Sequence, residues 1–312
     1  MEPLHQEETK KEARAQRHEL KGRTLRANEL KFSAMEMGEG PETVFCLHGF
    51  PDHARSFREQ MPALAEAGYR VIVPTLRGYE PSSQPRDGDY HTVHLAEDLL
   101  GWMNDLGVRK VHLVGHDWGA VIGYIVTAMA PERFHSFSAL AVPQVRNALG
   151  MFVKHPEQLR NSWYSFFFQL RIVSDVAVQW NDFELIEKLW RDWSPGWKWP
   201  EEEMAALKRT FRQPGVSKAA LGYYRAMYAL WSPTNWRTMK LLQSPVRQVP
   251  TLALTGAKDG CLDTRLFDTM RPEDFPAGLR IERLPDAGHF LHQEKPAEVN
   301  RLLVEWLGKH RG

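Results

Sequence analysis

Short apolar runs rich in β-branched residues recur along the first half of the chain and predict buried strands. They occupy residues 43–47 (TVFCL), 69–74 (YRVIVP) and 110–115 (KVHLVG). Between the last two runs, apolar side chains repeat with the period of an α-helix and would share one face: Leu95, Leu99, Met103 and Leu106. This alternation of strands and helices predicts a parallel sheet covered by helices on both sides.

The strand pattern stops near residue 143 and resumes only in the last quarter of the chain. The intervening residues 144–243 are rich in tryptophan and are typical of helices, with weak strand signals throughout. Two further strands are predicted at 249–256 (VPTLALTG) and 279–285 (LRIERLP). A closing helix then begins near Pro296, with an apolar stripe on one face: Val299, Leu302, Leu303 and Trp306.

These patterns predict an α/β protein with three parts. Residues 1–22 are almost all polar and are interpreted as a tail without a core of its own. Residues 23–143 and 244–312 together form the sheet domain, and residues 144–243 form a helical domain inserted into it.

Charge and composition exclude several classes of function. Forty basic and 39 acidic side chains leave a formal charge of +1, which gives no reason to expect binding to nucleic acid. No stretch approaches the roughly 18 apolar residues of a membrane span. The start lacks the apolar core of a secretory signal, and the two cysteines are expected to be buried thiols. We therefore expect a soluble, cytoplasmic protein.

The candidate chemistry begins at the sequence GHDWG, residues 115–119, which follows the third predicted strand. It resembles the strand–turn–helix motif G-x-S-x-G, which exposes a nucleophile, but Asp117 stands in place of serine. The positive end of the following helix should keep this side chain ionised. The alternative is that Asp117 is an ordinary helix N-cap.

Three further segments supply groups that would act with Asp117. The His-Gly turn of HGFPD follows the first strand, so the amide of Phe50 could point into the same space as that of Trp118 and form an oxyanion hole. Asp259 follows the strand at 249–256, and His289 lies in a loop after the last strand. Asp263 is an alternative to Asp259 as the acid.

Two competing sites are weaker. The sequence GVSKA around Ser217 resembles a serine motif, but no strand precedes it. The pairs His91/His94 and His289/His292 lack companion ligands at metal-site spacing, so neither a metal site nor a cofactor is predicted.

In combination, the segments HGFPD, LRGYEPSSQP, GHDWGA and AGHFLHQEKP resemble the epoxide hydrolases of the α/β-hydrolase fold, from about Arg23 to the C-terminus. The order Asp117, Asp259, His289 is the order of nucleophile, acid and histidine in that fold. The resemblance implies that residues 144–243 form a cap domain carrying two tyrosines that hold the epoxide oxygen. Tyr164 matches the first, and Tyr224 matches the second, with Tyr223 as its alternative.

The resemblance implies a two-step reaction without a cofactor. Asp117 would open an apolar epoxide to form an ester, while Tyr164 and Tyr224 donate to the alkoxide. Water activated by His289 and Asp259 would then release a vicinal diol. The expected partners are therefore an epoxide and water, with a homodimer left open. A haloalkane dehalogenase, which shares the aspartate nucleophile, and a non-catalytic binding module are the alternatives.

Overall fold

The computed structural model describes residues 19–146 and 154–312. Eight strands form one sheet in the order β1-β2-β4-β3-β5-β6-β7-β8. β1 and β2 form a hairpin and β2 is antiparallel to β4, whereas the pairs from β4 to β8 are parallel. The strands are β1 (Lys21–Ala27), β2 (Leu30–Met37), β3 (Glu42–Leu47), β4 (Tyr69–Pro74), β5 (Val111–His116), β6 (Phe134–Leu140), β7 (Thr251–Gly256) and β8 (Leu279–Leu284).

Helices cover both faces of the sheet, and shorter 3-10 helices lie in the loops. The α-helices are α1 (Gln60–Glu66), α2 (Thr92–Asp105), α3 (Trp118–Met129), α4 (Glu157–Asn161), α5 (Trp163–Phe167), α6 (Arg171–Trp193), α7 (Glu201–Phe211), α8 (Val216–Met227), α9 (Pro233–Leu242), α10 (Leu291–Glu294) and α11 (Pro296–Lys309). The 3-10 helices are Ala54–Phe57, Pro81–Ser83, Pro131–Arg133, Thr264–Thr269 and Pro272–Asp274. Among the described residues, no helix combines the length and apolar character needed to cross a bilayer.

The core is divided by the sheet into two apolar clusters. Phe45 and Leu47 of β3 pack in one cluster with Leu99 of α2, whereas Val44 of the same strand packs in the other with Leu303 of α11. Successive side chains of a strand point to opposite faces, so β3 is buried on both. The prediction of a mostly parallel sheet with helices on both sides is confirmed.

Two features of the sheet differ from the prediction. β1 begins at Lys21, so Lys21 and Gly22 belong to the sheet and not to the polar tail; residues 1–18 lie outside the described residues. β1 and β2 form an edge hairpin in which the first four residues of β1 are exposed, and this partial exposure hides the strand pattern in the sequence. β6 was also missed, because its buried positions include Ser136 and Ser138.

The helices α4 to α9 lie between β6 and β7, where the helical insertion was predicted. α6 is interrupted at residues 180–183, where Asn181, Asp182 and Phe183 adopt positive φ angles. The domain boundaries at 143/144 and 243/244 stay a prediction, and residues 147–153 lie outside the described part of the chain.

Candidate active site

Asp117 lies in a tight turn between the end of β5 and the start of α3, with φ +52° and ψ −117°. Non-glycine residues rarely adopt a positive φ, and such strain persists only where the surrounding structure enforces it. The strand and helix pass so close together that a Cβ atom at Gly115 would collide with the Gly119 backbone, and one at Gly119 with the Leu47 carbonyl. The two glycines therefore let the turn present the carboxylate above the sheet.

The two oxygens of the Asp117 carboxylate have different surroundings. Oδ1 accepts a hydrogen bond of 2.7 Å from the backbone amide of Phe50. Trp118 is the first residue of α3, so its amide belongs to the first turn of that helix, where amides lack helical partners. The structure thus places Phe50 and Trp118 beside Asp117, and their role as an oxyanion hole stays a prediction.

Residues that sequence analysis did not single out fix the loop that carries Phe50. The hydroxyl of Tyr79 donates to the Gly49 carbonyl at 3.2 Å, and the Leu76 amide donates to His48 Nε2 at 3.2 Å. The ring of His48 packs edge-on against Tyr79, with centroids 4.7 Å apart. These contacts hold the Phe50 amide in a fixed direction.

His289 lies between two carboxylates. Its Nδ1 is 2.9 Å from Asp259 Oδ2, and its Nε2 is 3.6 Å from Asp117 Oδ2. The other oxygen of Asp259 accepts from the amides of Cys261 and Leu262, which orients that carboxylate. Asp263, the alternative acid, instead pairs with Arg265.

The surroundings of His289 shift the pKa of its imidazole upward. Burial lowers the pKa of His289, but the neighbouring carboxylates of Asp259 and Asp117 outweigh burial and hold the pKa well above its ordinary value.

Two tyrosines approach Asp117 from the helical insertion, Tyr164 from α5 and Tyr224 from α8. Their rings meet edge-on with centroids 5.6 Å apart. Burial and, more weakly, the charge of Asp117 raise the pKa of both phenols well above the ordinary value, so both stay neutral. Tyr223 points elsewhere: its hydroxyl donates to the Arg77 carbonyl at 2.6 Å. The structure thus selects Tyr224 over its neighbour.

Comparisons with known proteins agree with this geometry. A family model for the α/β hydrolase fold matches residues 42–296. The chain belongs to the α/β-hydrolase fold family. An epoxide hydrolase of Caballeronia sordidicola is 32% identical, covering 91% of this chain and 92% of its own length. Epoxide hydrolase A of Mycobacterium tuberculosis is 30% identical, covering 91% and 96%.

A solved structure of an epoxide hydrolase variant from Bacillus megaterium, complexed with a naphthyloxy-propanediol product, aligns with a TM-score of 0.79. It is 25% identical and the alignment covers 92% of this chain and 100% of that one. The predicted fold and the epoxide hydrolase family are confirmed, and with them the prediction that this α/β-hydrolase is an enzyme.

Within this α/β-hydrolase, two contacts of the site escaped sequence analysis. The Cys261 thiol is 3.2 Å from the Tyr164 hydroxyl, and burial raises the pKa of the thiol. The Trp193 carbonyl accepts hydrogen bonds from the amides of His289 and Gly260, each at 3.0 Å, and so joins the insertion to the loops that carry His289 and Asp259. Cys261 follows the candidate acid Asp259 by two residues, and this proximity in the sequence could have marked it as part of the site. Nothing in the sequence distinguishes Trp193 from the other tryptophans of the insertion.

The site of this α/β-hydrolase is nearly closed to solvent. Asp117 is 7% exposed, Tyr164 6%, Tyr224 4% and His289 0%. An open groove of about 710 Å³ lies elsewhere, between the loop at residues 84–91 and helices α6 and α8, and includes none of these residues.

The competing sites have ordinary structural roles. Ser217 lies in the first turn of α8, and its hydroxyl donates to the Phe211 carbonyl. His91 and His94 contact the carboxylates of Asp89 and Glu97. Asp117 is thus the only one of the sequence candidates for a nucleophile that lies beside a histidine–aspartate pair in the described residues.

Proposed function

We propose that this protein hydrolyses apolar epoxides to vicinal diols through an ester on Asp117. The observation that carries the proposal is the pair of buried, neutral phenols, Tyr164 and Tyr224, facing a carboxylate served by His289. Residues 144–243 act in this proposal as a cap domain on the core formed by residues 23–143 and 244–312.

Ring opening uses Oδ2 of Asp117, since Oδ1 is held by the Phe50 amide. Oδ2 attacks one epoxide carbon and forms a C–O ester bond, and the electron pair of the broken C–O bond moves to the epoxide oxygen. Tyr164 and Tyr224 donate to that oxygen and supply its proton, because an alkoxide is far more basic than a phenolate. A serine in place of Asp117 would form an ether, which water does not readily cleave.

Ester formation also prepares the second step. It removes the negative charge of Asp117, which is one of the causes of the raised pKa of His289. The imidazole accepts a proton from water through Nε2, while Asp259 holds Nδ1, and the resulting hydroxide attacks the ester carbonyl. The negative charge develops on Oδ1 at the Phe50 and Trp118 amides. The bond between the carbonyl carbon and Oδ2 then breaks, and the diol leaves with Oδ2 and the proton from His289. The proton left on the new carboxyl group returns to the phenolate formed during ring opening, which restores the starting state.

The lining of the site supports an apolar substrate. The ring of Tyr224 contacts those of Phe50, Trp118 and Phe168, with centroids 5.1–5.2 Å apart. The ring of Trp193 packs at a tilt against that of Tyr164, with centroids 4.7 Å apart. Because such a wall offers few hydrogen bonds, binding depends on the burial of apolar surface.

Product analysis tests the proposed function. Purified protein is incubated with aromatic, aliphatic and fatty-acid epoxides, and separately with haloalkanes of matched size. Diol formation without halide release is expected. Halide release without diol formation would favour a dehalogenase.

Removing both phenol hydroxyls is expected to block the first step. In the double variant Tyr164→Phe/Tyr224→Phe, nothing donates to the epoxide oxygen, and we expect a loss of about 10²–10⁴-fold in the rate of ester formation. Single-turnover kinetics measure this step directly. The matched control is Tyr223→Phe, which removes the neighbouring hydroxyl that bonds to the Arg77 carbonyl. Equal rates in the double variant and this control would remove the tyrosines from the mechanism.

A further inference from the structure

A second group of ionisable side chains lies behind the catalytic residues. Asp52, His116 and His292 are completely buried, and one potential ligand atom from each lies within 4.8 Å of the other two. Asp52 follows Phe50 by two residues, His116 directly precedes Asp117, and His292 follows His289 by three. The group therefore joins the three segments that carry the active site.

The hydrogen bonds of His116 fix its tautomer. Nε2 lies 3.0 Å from the His289 carbonyl, and because a carbonyl only accepts, Nε2 carries the proton. Nδ1 is then an unprotonated nitrogen, and it is buried without a hydrogen-bond partner among the described residues. Histidines that bind metals show this arrangement, with one nitrogen donating to a carbonyl and the other holding the ion.

His292 provides a second independent observation. Both of its ring nitrogens are buried and lack hydrogen-bond partners within the part of the chain that the structure describes. The ring lies 4.4 Å from that of His116 and 5.0 Å from that of Phe57, between centroids. A buried polar atom without a partner destabilises the fold, so these nitrogens imply a further group beside them.

Asp52 adds a carboxylate to the same space. Its Oδ1 accepts from the His53 amide and its Oδ2 from Gln293, which leaves a lone pair on each oxygen. Among the described residues, no lysine or arginine forms an ion pair with this side chain. Arg58 pairs instead with Glu59 and Glu203.

We propose that Asp52, His116 and His292 bind a divalent transition-metal ion of the zinc type. Two imidazoles and one carboxylate form a common zinc donor set, with water as the fourth ligand. Ligand atoms around tetrahedral zinc lie about 3.4 Å apart. Atoms that lie up to 4.8 Å apart therefore need to approach one another by at most about 1.4 Å. The ion would satisfy Nδ1 of His116 and one nitrogen of His292. Its positive charge would also favour the ionised form of Asp52, whose pKa burial raises to about 8.

The neighbouring trio of Asp259, Cys261 and His289 meets the same distance criterion but does not support such a site. There, Asp259 and His289 already bind each other, and the second oxygen of Asp259 accepts two backbone amides. The ion at Asp52, His116 and His292 has a structural role: it fixes the Phe50 loop, the Asp117 turn and the His289 loop relative to one another. It takes no part in either chemical step.

Metal content and stability test the site in the full-length protein. Wild type purified from zinc-supplemented medium and dialysed is expected to hold about one zinc per chain by elemental analysis. Added zinc should raise the melting temperature of the metal-depleted protein by about 5 °C. Both effects should disappear in His292→Gln and in Asp52→Asn, and persist in His94→Gln, whose histidine lies partly exposed beside Asp89 and Glu97.

Cobalt(II) identifies the ligands. Metal-depleted wild type with cobalt should show a visible d–d spectrum without a thiolate charge-transfer band, and Cys261→Ser should leave that spectrum unchanged. A thiolate band that Cys261→Ser removes would place the ion at the other trio and overturn the proposal. Wild type that binds neither zinc nor cobalt would overturn it too, and would leave a buried water as the partner of the unpaired nitrogens.

Discussion

Asp117→Asn is expected to reduce diol formation by at least about 10⁴-fold. The amide is a poor nucleophile, so Oδ2 can no longer open the epoxide, and no covalent intermediate forms. Asparagine tolerates positive φ nearly as well as aspartate, so the turn at φ +52° should keep its shape. Diol release is measured together with intact mass, because deamidation would restore the aspartate and appear as a gain of about one mass unit.

Asp263→Asn is the matched control for this loss. Asp263 also lies near the carboxyl end of a strand, but it pairs with Arg265 and does not contact His289. Wild-type activity in Asp263→Asn, with equal melting temperatures in both variants, would assign the loss to the carboxylate of Asp117. Diol formation by undeamidated Asp117→Asn at more than about 1% of the wild-type rate would exclude the ester mechanism, because an enzyme that has lost its nucleophile retains far less activity.

The central strands were predictable because of where they lie in the sheet. β3, β4, β5 and β7 are buried on both faces, so most of their residues are apolar and the runs stand out. β1 at the edge is largely exposed and carries no such run. β6 is buried, but it accepts Ser136, whose hydroxyl is paired with His112 at 2.8 Å. A polar side chain can be buried when it has a hydrogen-bond partner, but the sequence alone does not show which residue that partner is. The strand pattern of β6 was therefore not recognised.

The active site was predictable wherever a residue directly follows a strand of the parallel sheet. Asp117, Asp259 and Phe50 lie at the carboxyl ends of β5, β7 and β3, and these ends meet at one edge of the sheet. The orientation of the tyrosines was not predictable from the residues alone. Neighbouring residues on a helix point about 100° apart, and only the packing of α8 shows that Tyr224 faces Asp117 while Tyr223 faces Arg77.

The contacts that depend on long-range packing escaped the sequence altogether. The three residues of the proposed metal site lie far apart in the sequence: 64 positions separate Asp52 from His116, and 176 separate His116 from His292. Spacing rules recognise metal sites whose ligands come in neighbouring pairs, so no such rule applies to these three. Each residue lies beside a catalytic one, and this proximity became informative only once the fold had placed the three segments together.

His289→Gln is expected to stop the reaction after ring opening. Oδ2 of Asp117 and both tyrosines remain, so the ester should form, but water lacks a base and hydrolysis should slow by about 10²–10⁴-fold. Because the epoxide adds without a leaving group, intact mass should increase by the full mass of the epoxide. Peptide mapping should place this adduct at Asp117. Diol formation by wild type in a single turnover, measured in parallel, gives the reference rate for hydrolysis.

The double variant Asp117→Asn/His289→Gln separates this adduct from chance alkylation. Epoxides also react slowly with exposed nucleophiles, and such products would appear equally in both variants. An adduct in His289→Gln that is absent from the double variant therefore reports attack by Asp117 alone. If His289→Gln stays unmodified while its fold is intact, His289 is required for ring opening itself. The proposal that the tyrosines alone assist ring opening, and that His289 acts only in hydrolysis, would then be wrong.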